Sequence, residues 1–363
     1  ILELKDILSH DSKIYDIIKK ELLYLKEKYG DERKTVIENE RMEILPEDLI
    51  KDESVILTLT NKGYVKRMEV SKYKAQKRGG KGVASQNTIE DDFVVSTLMI
   101  FTNQGRVFNL KVYEIPESSK QSRGKLISNI IRIREDEKIR AVIKTRDFSS
   151  ENEVVFVTKE GLIKKTNLNE FKNINNSGLK AIKLKPEDDI IYVGLIEEID
   201  KEELLLATKL GQSIRFGSDN VRATGRDTMG VKAITLKEGD SVVSAMLIKD
   251  RDGMILTMTE NGYGKRTRID EYPLQARSGK GVINLRCNAK TGDVVSVLPA
   301  PDSEELMAIT SSGIVIRMPM SSITIYGRAT QGVIVMKVDN GEKVVSITKV
   351  KSEDDEIDEV STE

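Results

Sequence analysis

The sequence predicts an all-β protein made of six copies of a four-stranded unit, preceded by one helix. Two observations support this fold class. A hairpin signature beginning with Thr recurs six times, and no helical periodicity occurs between residues 54 and 350. The period lies close to 50 residues, which fits a closed radial array whose blades bury their faces against their neighbours.

Each copy of the signature has Gly at its fourth position, as in "TNKGYVKR" (60–67) and "TENGYGKR" (259–266). An apolar alternating strand leads in, a polar pair turns, and the Gly supplies the positive φ of a tight hairpin. The hairpin glycines are Gly63, Gly105, Gly161, Gly211, Gly262 and Gly313. The sequence therefore predicts a tight turn at each of them.

A second glycine follows the first by 19 residues in five copies and by 17 in the third. These second glycines are Gly82, Gly124, Gly178, Gly230, Gly281 and Gly332. Another β-run follows, then an acidic or Gly-containing turn such as "KEGD" (237–240), then an apolar strand. The period alone would also fit a kelch propeller, but the chain contains no Trp, which argues against kelch and WD propellers.

Residues 1–37 carry apolar side chains at helical spacing from Leu4 to Tyr29, which predicts an amphipathic helix with a packing face. Gly30 is a suitable C-terminal stop. The predicted organisation is a helical segment (1–37), a short acidic linker (38–53), the repeat domain (54–351) and an acidic tail (352–363).

Composition excludes several kinds of site. The single cysteine, Cys287, cannot form an internal disulfide, which favours a reducing compartment, and His10 is the only histidine. A His-based triad or a structural zinc site therefore cannot be assembled, and neither a catalytic nor a metal site is predicted. There is no signal peptide or apolar run of membrane-spanning length. The chain begins with Ile, which suggests a piece of a longer protein.

Charge is distributed unevenly. Residues 352–363 carry seven carboxylates and no cation, whereas residues 51–351 hold 49 basic and 39 acidic side chains. A basic body with an acidic tail suggests a polyanionic partner and an intramolecular competitor for it. The alternative is that the tail only keeps the protein soluble.

Cations recur just after each hairpin turn and around each second glycine. A radial array places equivalent positions on the same rim, so we expect these charges to form a belt, although any single one could be a solvated strand end. The predicted basic rim comprises Lys66, Arg67, Arg106, Arg123, Lys125, Lys164, Lys165, Lys180, Arg215, Arg226, Lys265, Arg266, Arg268, Arg277, Lys280, Arg317 and Arg328.

Phosphate is the natural target of such a belt, because glycine-rich loops let backbone N–H groups approach it closely. The stretch "QKRGGKGV" (76–83) combines three cations with three glycines. It is not a nucleotide-binding P-loop, since no Ser or Thr follows and no helix opens after it. With no helix available to enter a major groove, we expect sequence-tolerant, strongly salt-dependent binding of duplex DNA.

These residues resemble a known family. The run 48–83 is similar to the start of the C-terminal domain of the bacterial DNA gyrase A subunit. Within it, the heptapeptide signature called the gyrase-A box corresponds to Gln76, Lys77, Arg78, Gly79, Gly80, Lys81 and Gly82, with Lys77 where Arg is usual. "QARSGKG" (275–281) resembles a degenerate second copy, and residues 21–37 resemble the end of the breakage-reunion domain.

The resemblance implies a six-bladed β-pinwheel in which neighbouring blades exchange a strand. Double-stranded DNA would wrap around its rim, with the box between the first and last blades, so that the holoenzyme can introduce negative supercoils. The implied partners are the gyrase B subunit, in an A2B2 assembly in the bacterial cytoplasm at the nucleoid, together with the rest of the gyrase A subunit. ATP and Mg2+ would be bound elsewhere in the holoenzyme.

The resemblance also implies that this chain is not itself an enzyme. The family's catalytic tyrosine directly follows an arginine, and none of the ten tyrosines here does. Two alternatives to DNA wrapping stay open: a topoisomerase IV-like domain that binds DNA without strong wrapping, and a propeller that recognises an acidic protein.

Overall fold

The computed structural model describes residues 1–31, 35, 54–59, 63–69, 87–93, 96–119, 122–134, 136–148, 151–198, 201–339 and 341–351. The chain divides into two compact units, Ile1–Leu49 and Ile50–Glu363. Each unit is built from a different kind of secondary structure.

The N-terminal unit contains two helices where the sequence predicts one, α1 (Leu2–Leu8) and α2 (Asp11–Tyr29). The break falls at His10, whose extended backbone (φ −132°, ψ 105°) cannot continue a helix. Helix α2 ends before Gly30, as predicted, but Gly30 has φ −72° rather than the left-handed conformation. Neither helix buries a side chain within the described residues.

The second unit consists of six small antiparallel sheets, which confirms the predicted six-bladed β-propeller. In chain order its strands are β1 (Ser54–Leu59), β2 (Tyr64–Glu69), β3 (Asn87–Phe93), β4 (Thr97–Thr102), β5 (Arg106–Lys111), β6 (Lys125–Leu126), β7 (Ile139–Thr145), β8 (Glu153–Thr158), β9 (Leu162–Asn167), β10 (Leu179–Lys180), β11 (Ile190–Ile196), β12 (Glu203–Thr208), β13 (Gln212–Gly217), β14 (Val231–Lys232), β15 (Val242–Ile248), β16 (Met254–Thr259), β17 (Tyr263–Arg268), β18 (Val282–Ile283), β19 (Val294–Pro299), β20 (Glu304–Thr310), β21 (Val315–Pro319), β22 (Val333–Ile334) and β23 (Val344–Lys351).

Neighbouring blades exchange a strand. The first sheet has the order β3-β1-β2-β6, and its edge strand β6 comes from the chain segment of the second unit. The next four sheets repeat this arrangement with the two-residue strands β10, β14, β18 and β22. The sixth sheet has the order β21-β20-β23 in the described part of the chain. Each two-residue strand therefore ties one blade to the next.

The radial direction follows from contacts between sheets. Strands β7, β11, β15, β19 and β23 contact one another in succession, so they line the inside of the array. The two-residue strands lie at the opposite edge of each sheet and form its outer edge. The core is shared between blades, as where the rings of Phe101 and Phe156, from adjacent sheets, meet edge to face at 5.4 Å.

The glycine predictions are confirmed. All six hairpin glycines have positive φ, and so do the described second glycines, whereas Gly82 lies outside the described residues. At Gly281 (φ 73°) a Cβ atom would lie 2.3 Å from the carbonyl oxygen of Ser213 on the preceding blade. Glycine is therefore needed there for conformation and for close approach of two backbones.

One-turn 3-10 helices follow the second strand of units two to six, and the sequence does not reveal them. They are Val112–Glu114, Leu168–Phe171, Ser218–Asn220, Ile269–Glu271 and Met320–Ser322. Three or four residues are too few to produce a helical periodicity. Each of these turns buries at least one side chain in the blade.

Candidate nucleic-acid interface

The predicted cations fall into two structural groups. We call those that directly follow a hairpin turn the hairpin cations, and those around a second glycine the loop cations. Six hairpin cations are at most 8% exposed: Lys66, Lys164, Lys165, Arg215, Lys265 and Arg266. For these six, the expectation of an exposed belt is wrong.

The physical reason is the packing of the blades. The hairpin cations lie in the second strand of each sheet, and adjacent residues of a strand point to opposite faces. In a radial array both faces of a blade are covered by its neighbours, and the outer two-residue strand covers its edge. In units three, four and five the four middle positions of the second strand are all buried.

Three of the buried lysines are held by backbone carbonyl groups. The Nζ atom of Lys164 donates hydrogen bonds to the carbonyl oxygens of Ala181, at 2.6 Å, and Arg226. Lys265 donates to the carbonyl oxygens of Gly327, at 2.7 Å, and Arg328. Burial lowers the pKa of Lys164 and of Lys265 to about 8.

Lys66 makes the equivalent hydrogen bond to Ser122, at 3.0 Å. Except for that of Ala181, the accepting carbonyl groups lie in the loop before the second glycine of the next unit. The lysines therefore link neighbouring units.

The other buried hairpin cations form ion pairs. Lys165 lies 2.6 Å from Glu153. Arg215 pairs with Glu203 at 2.6 Å between Nε and Oε2, and its Nη1 atom donates to carbonyl oxygens at the next unit's 3-10 helix. Arg266 pairs with Asp302. Arg215 and Arg266 also reach carbonyl groups of the next unit, whereas the pair of Lys165 lies within one sheet. All three charges are occupied by partners within the protein.

Three of the four remaining hairpin cations also pair with a carboxylate of the protein. Arg106 pairs with Glu137 at 2.6 Å and its guanidinium lies 4.8 Å from the centre of the Phe108 ring. Arg268 is exposed and pairs with Asp270 at 2.9 Å, which holds the pKa of that carboxyl below its usual value. Arg317 is exposed and pairs with Glu305, and Arg67 is half-buried.

Four of the loop cations lie in or directly beside the outer two-residue strands or their second glycines. Arg123, Lys125, Lys180 and Lys280 are exposed. Lys125 and Lys180 belong to the two-residue strands β6 and β10, and Arg123 directly precedes Gly124. Lys180 also pairs with Asp227 at 2.9 Å, an ion pair that is open to solvent on both sides.

Three arginines occupy the position four residues before a second glycine and are half-buried: Arg226, Arg277 and Arg328. Arg277 donates from Nε to the carbonyl oxygen of Asn220 (3.1 Å) and from Nη1 to that of Lys232 (2.7 Å). Arg328 makes the same two kinds of contact, to Glu271 (3.1 Å) and Ile283. Both guanidinium groups fasten their loop to the preceding unit.

Sequence reasoning missed further exposed cations at this edge. Lys232, in β14, has the same position two residues after a second glycine as Lys180. Three more lie five residues after a second glycine: Lys183, Arg286 and Lys337. Alignment of the units on their second glycines was the signal that could have identified them.

The gyrase-A box residues, Gln76 to Gly82, lie outside the described residues, as do the linker 38–53 and the tail 352–363. Among the described residues, no group of three or more His, Cys, Asp or Glu side chains could hold a metal ion. Neither α1 nor α2 is long and apolar enough to cross a membrane.

Comparison with known proteins identifies the repeats. The family model for the DNA gyrase C-terminal domain, a β-propeller, matches six successive segments: 54–98, 96–146, 152–197, 202–249, 253–301 and 304–351. These segments coincide with the six blades.

Curated relatives match nearly the whole chain. The DNA gyrase A subunit of Staphylococcus epidermidis is 40% identical over 366 residues, which cover 98% of this chain and 41% of that protein. Its counterpart from Campylobacter jejuni is 39% identical over 406 residues, covering 100% of this chain and 47% of that protein. The chain therefore spans less than half the length of these relatives.

Two solved structures share the architecture. The C-terminal domain of a DNA topoisomerase IV aligns with a TM-score of 0.75 at 29% identity, over 86% of this chain and 99% of that one. A DNA gyrase A C-terminal domain aligns with a TM-score of 0.63 at 27% identity, over 82% and 99%. With six matched blades and relatives along its whole length, the chain belongs to the DNA gyrase C-terminal domain family of β-propellers.

Proposed function

We propose that this chain binds duplex DNA along the outer edge of its blades and wraps it without reading its sequence. The observation that carries this proposal is the set of exposed cations on the outer two-residue strands, Lys125, Lys180 and Lys232. Lysine ammonium groups bind phosphate as point charges. The two-residue edge strands cannot enter a major groove as a recognition helix does, so they do not read base sequence.

The energy needed to bend DNA implies that many phosphate contacts must act together. Bending duplex DNA through roughly 180° over about 40 base pairs costs on the order of 10 kcal/mol. Each charge-assisted phosphate contact contributes roughly 1 kcal/mol after desolvation. About ten contacts are therefore needed, and the loop cations, the four edge cations that the sequence missed, and Gln76 to Gly82 together supply that number.

In the proposed setting the chain is the DNA-wrapping part of a gyrase A subunit, which joins the gyrase B subunit in an A2B2 assembly. The wrap presents a crossover to the DNA gate, and ATP-driven strand passage then introduces negative supercoils. Cleavage, ATP and Mg2+ binding belong to other parts of that assembly. We place the assembly in the bacterial cytoplasm, at the nucleoid.

Binding is tested by a gel shift with random-sequence duplex DNA at rising salt. We expect affinity to fall by a factor of about 1,000 or more between 50 and 200 mM salt, as for proteins with six or more phosphate contacts. Replacing Lys125, Lys180 and Lys232 by Met should weaken binding and flatten the salt dependence. The matched control replaces Lys185, Lys249 and Lys343 by Met, three exposed lysines paired with Glu160, Glu197 and Glu260. If no shift occurs at low salt, the DNA-binding proposal is wrong and a protein-recognition module is favoured.

A second candidate is a topoisomerase IV-like domain that binds DNA without strong wrapping, supported by the TM-score of 0.75 to such a domain. Ligation of nicked circles in the presence of the chain separates the two. Wrapping traps writhe in the closed circles, and binding without wrapping leaves them relaxed.

In the holoenzyme, replacing Gln76 to Gly82 by Ala should abolish supercoiling while sparing ATP-driven relaxation. Supercoiling by that variant would show that the box does not have the role assigned to it.

A further inference from the structure

The position three residues after each hairpin glycine alternates around the array. It is Lys66, Lys164 and Lys265 in units one, three and five. In units two, four and six it is Phe108, Ile214 and Ile316. All three lysines are buried, at 6% exposure or less.

Each lysine reaches a loop of the next unit that carries an edge cation. Lys66 bonds the carbonyl group of Ser122, directly before Arg123. Lys164 bonds the carbonyl group of Arg226, and Lys265 that of Arg328. In the last two cases the half-buried guanidinium of the same residue contacts the preceding unit. Arg226 pairs with Glu170 at 3.3 Å, and Arg328 donates to the carbonyl oxygens of Glu271 (3.1 Å) and Ile283. The hydrogen bond from the lysine therefore fixes the backbone of the loop that carries the cation.

The loops of units three and five rest on apolar side chains instead. A Cβ atom on Gly178 would lie 2.6 Å from the Phe108 ring, and one on Gly279 would lie 3.6 Å from Cδ1 of Ile214. Apolar packing is not directional, so it fills space without orienting a carbonyl group. A buried ammonium is costly to desolvate but gives a directed contact to two carbonyl oxygens.

We infer that Lys66, Lys164 and Lys265 are positioning residues of the DNA-binding edge, which hold the loops of units two, four and six in the orientation that phosphate contact requires. This inference rests on the proposed function. Because these lysines occur only in units one, three and five, the DNA-binding edge repeats every two units rather than every unit. The lysines touch no DNA themselves and act by fixing the backbone of the loops that carry Arg123, Arg226 and Arg328.

Protonation gives the inference a distinct signature. Burial lowers the pKa of Lys164 and Lys265 to about 8, so these lysines lose their charge just above neutral pH. The charged groups that face Lys164 are Asp227, Arg226 and Glu170, and those that face Lys265 are Glu271 and Arg328. Nearby phosphates favour the protonated lysines, so DNA binding should weaken as the pH rises from 7 to 9.

The test compares the full 363-residue chain with the double variant Lys164→Met/Lys265→Met, using random-sequence duplex DNA. We expect binding about fivefold weaker for each misplaced phosphate contact. The slope of log affinity against log salt should fall by about 0.9 per lost contact. The pH dependence between 7 and 9 should flatten. The matched control, Lys185→Met/Lys343→Met, removes two exposed lysines paired with Glu160 and Glu260 and should bind like the unmodified chain.

Two outcomes separate this inference from the proposed function. If the unmodified chain binds DNA and the folded double variant binds equally well with the same pH profile, the positioning role is wrong and the proposed function stands. If the unmodified chain does not bind at low salt, the proposed function fails first.

Should the Met variant not fold, Lys164→Arg/Lys265→Arg supplies the test, because Arg keeps the charge and the donors but does not titrate. Near-normal binding at pH 7 with a flattened pH profile supports the inference. An unchanged pH profile overturns it.

Discussion

Gly262 satisfies two independent constraints. Its φ of 77° is one that residues with a Cβ atom rarely adopt. A Cβ atom there would also lie 1.9 Å from the carbonyl oxygen of Met336, in the segment of the next unit that follows β22. The hairpin turn and the contact between units therefore depend on the same missing side chain.

Substitution at two hairpin glycines separates these constraints. Gly313 has φ 87°, but the described structure places nothing within 4 Å of a Cβ atom there. We expect Gly313→Ala to cost about 1 to 2 kcal/mol in unfolding free energy, the cost of a left-handed residue. Gly262→Ala should cost clearly more, since a backbone oxygen must also move. Urea unfolding midpoints measure both, and equal losses would mean that the close approach is unimportant.

The buried lysines make stability depend on pH in a defined direction. In the unfolded chain Lys164 and Lys265 keep their protons up to the ordinary value of 10.5, whereas the folded protein releases them near a pKa of about 8. Between these values the unfolded state binds more protons, so stability rises with pH. We expect the chain to gain stability relative to Lys164→Met/Lys265→Met from pH 7 to pH 10, measured by urea unfolding. A constant difference would contradict the lowered pKa values.

At the scale of elements, the contact between blades depends on buried charge as well as on exchanged strands. Arg215, in β13, pairs with Glu203 in β12 and donates to the carbonyl oxygens of Ile269 (2.8 Å) and Tyr272 (3.0 Å) in the next unit. One guanidinium thus joins two strands of a blade to the following 3-10 helix. Its fork of fixed donors suits this arrangement better than a lysine would.

Two arginines contact the carboxylate of Glu203, and replacing each of them in turn tests this link. Arg215→Met leaves Glu203 buried and two carbonyl groups without their donor, so we expect a loss of about 3 kcal/mol. Arg251, 67% exposed, contacts the same Glu203 at 2.7 Å. Arg251→Met should cost less than about 1 kcal/mol, as for exposed pairs. Chemical denaturation compares the two variants, and similar losses would show that the contacts of Arg215 to the next blade contribute little.

At the scale of the whole molecule, charge is sorted by position. Six hairpin cations are buried within the array, four loop cations are exposed at its outer edge, and the last twelve residues carry seven carboxylates. We propose that this acidic segment competes with DNA phosphates for the exposed cations. This competition is electrostatic and depends on salt.

Deletion of residues 352–363 should therefore tighten DNA binding, with the largest gain at low salt and little at 200 mM. Gel shifts with and without the tail, over a series of salt concentrations, measure this difference. A control tail of equal length with each carboxylate replaced by its amide separates charge from length. Identical binding by all three forms would leave only the solubility role for the tail.

The sequence by itself determined the number of blades, the hairpins and the glycines. These features are local: a positive φ at Gly105 or Gly211 is required by the turn in which the residue lies, whatever surrounds it. Apolar alternation and a constant spacing then suffice to count units. Some exposed cations of the outer edge could also be predicted, such as Arg123 and Lys280, which each directly precede a second glycine.

Only the tertiary structure decided which periodic cations face outward. Lys66 and Lys125 are both charged and both periodic, yet one is buried against Ser122 and the other is exposed. The partners of the buried lysines lie up to 63 residues away in the sequence, in another unit. Burial depends on how neighbouring blades pack and exchange strands, and no local pattern in the sequence contains that information.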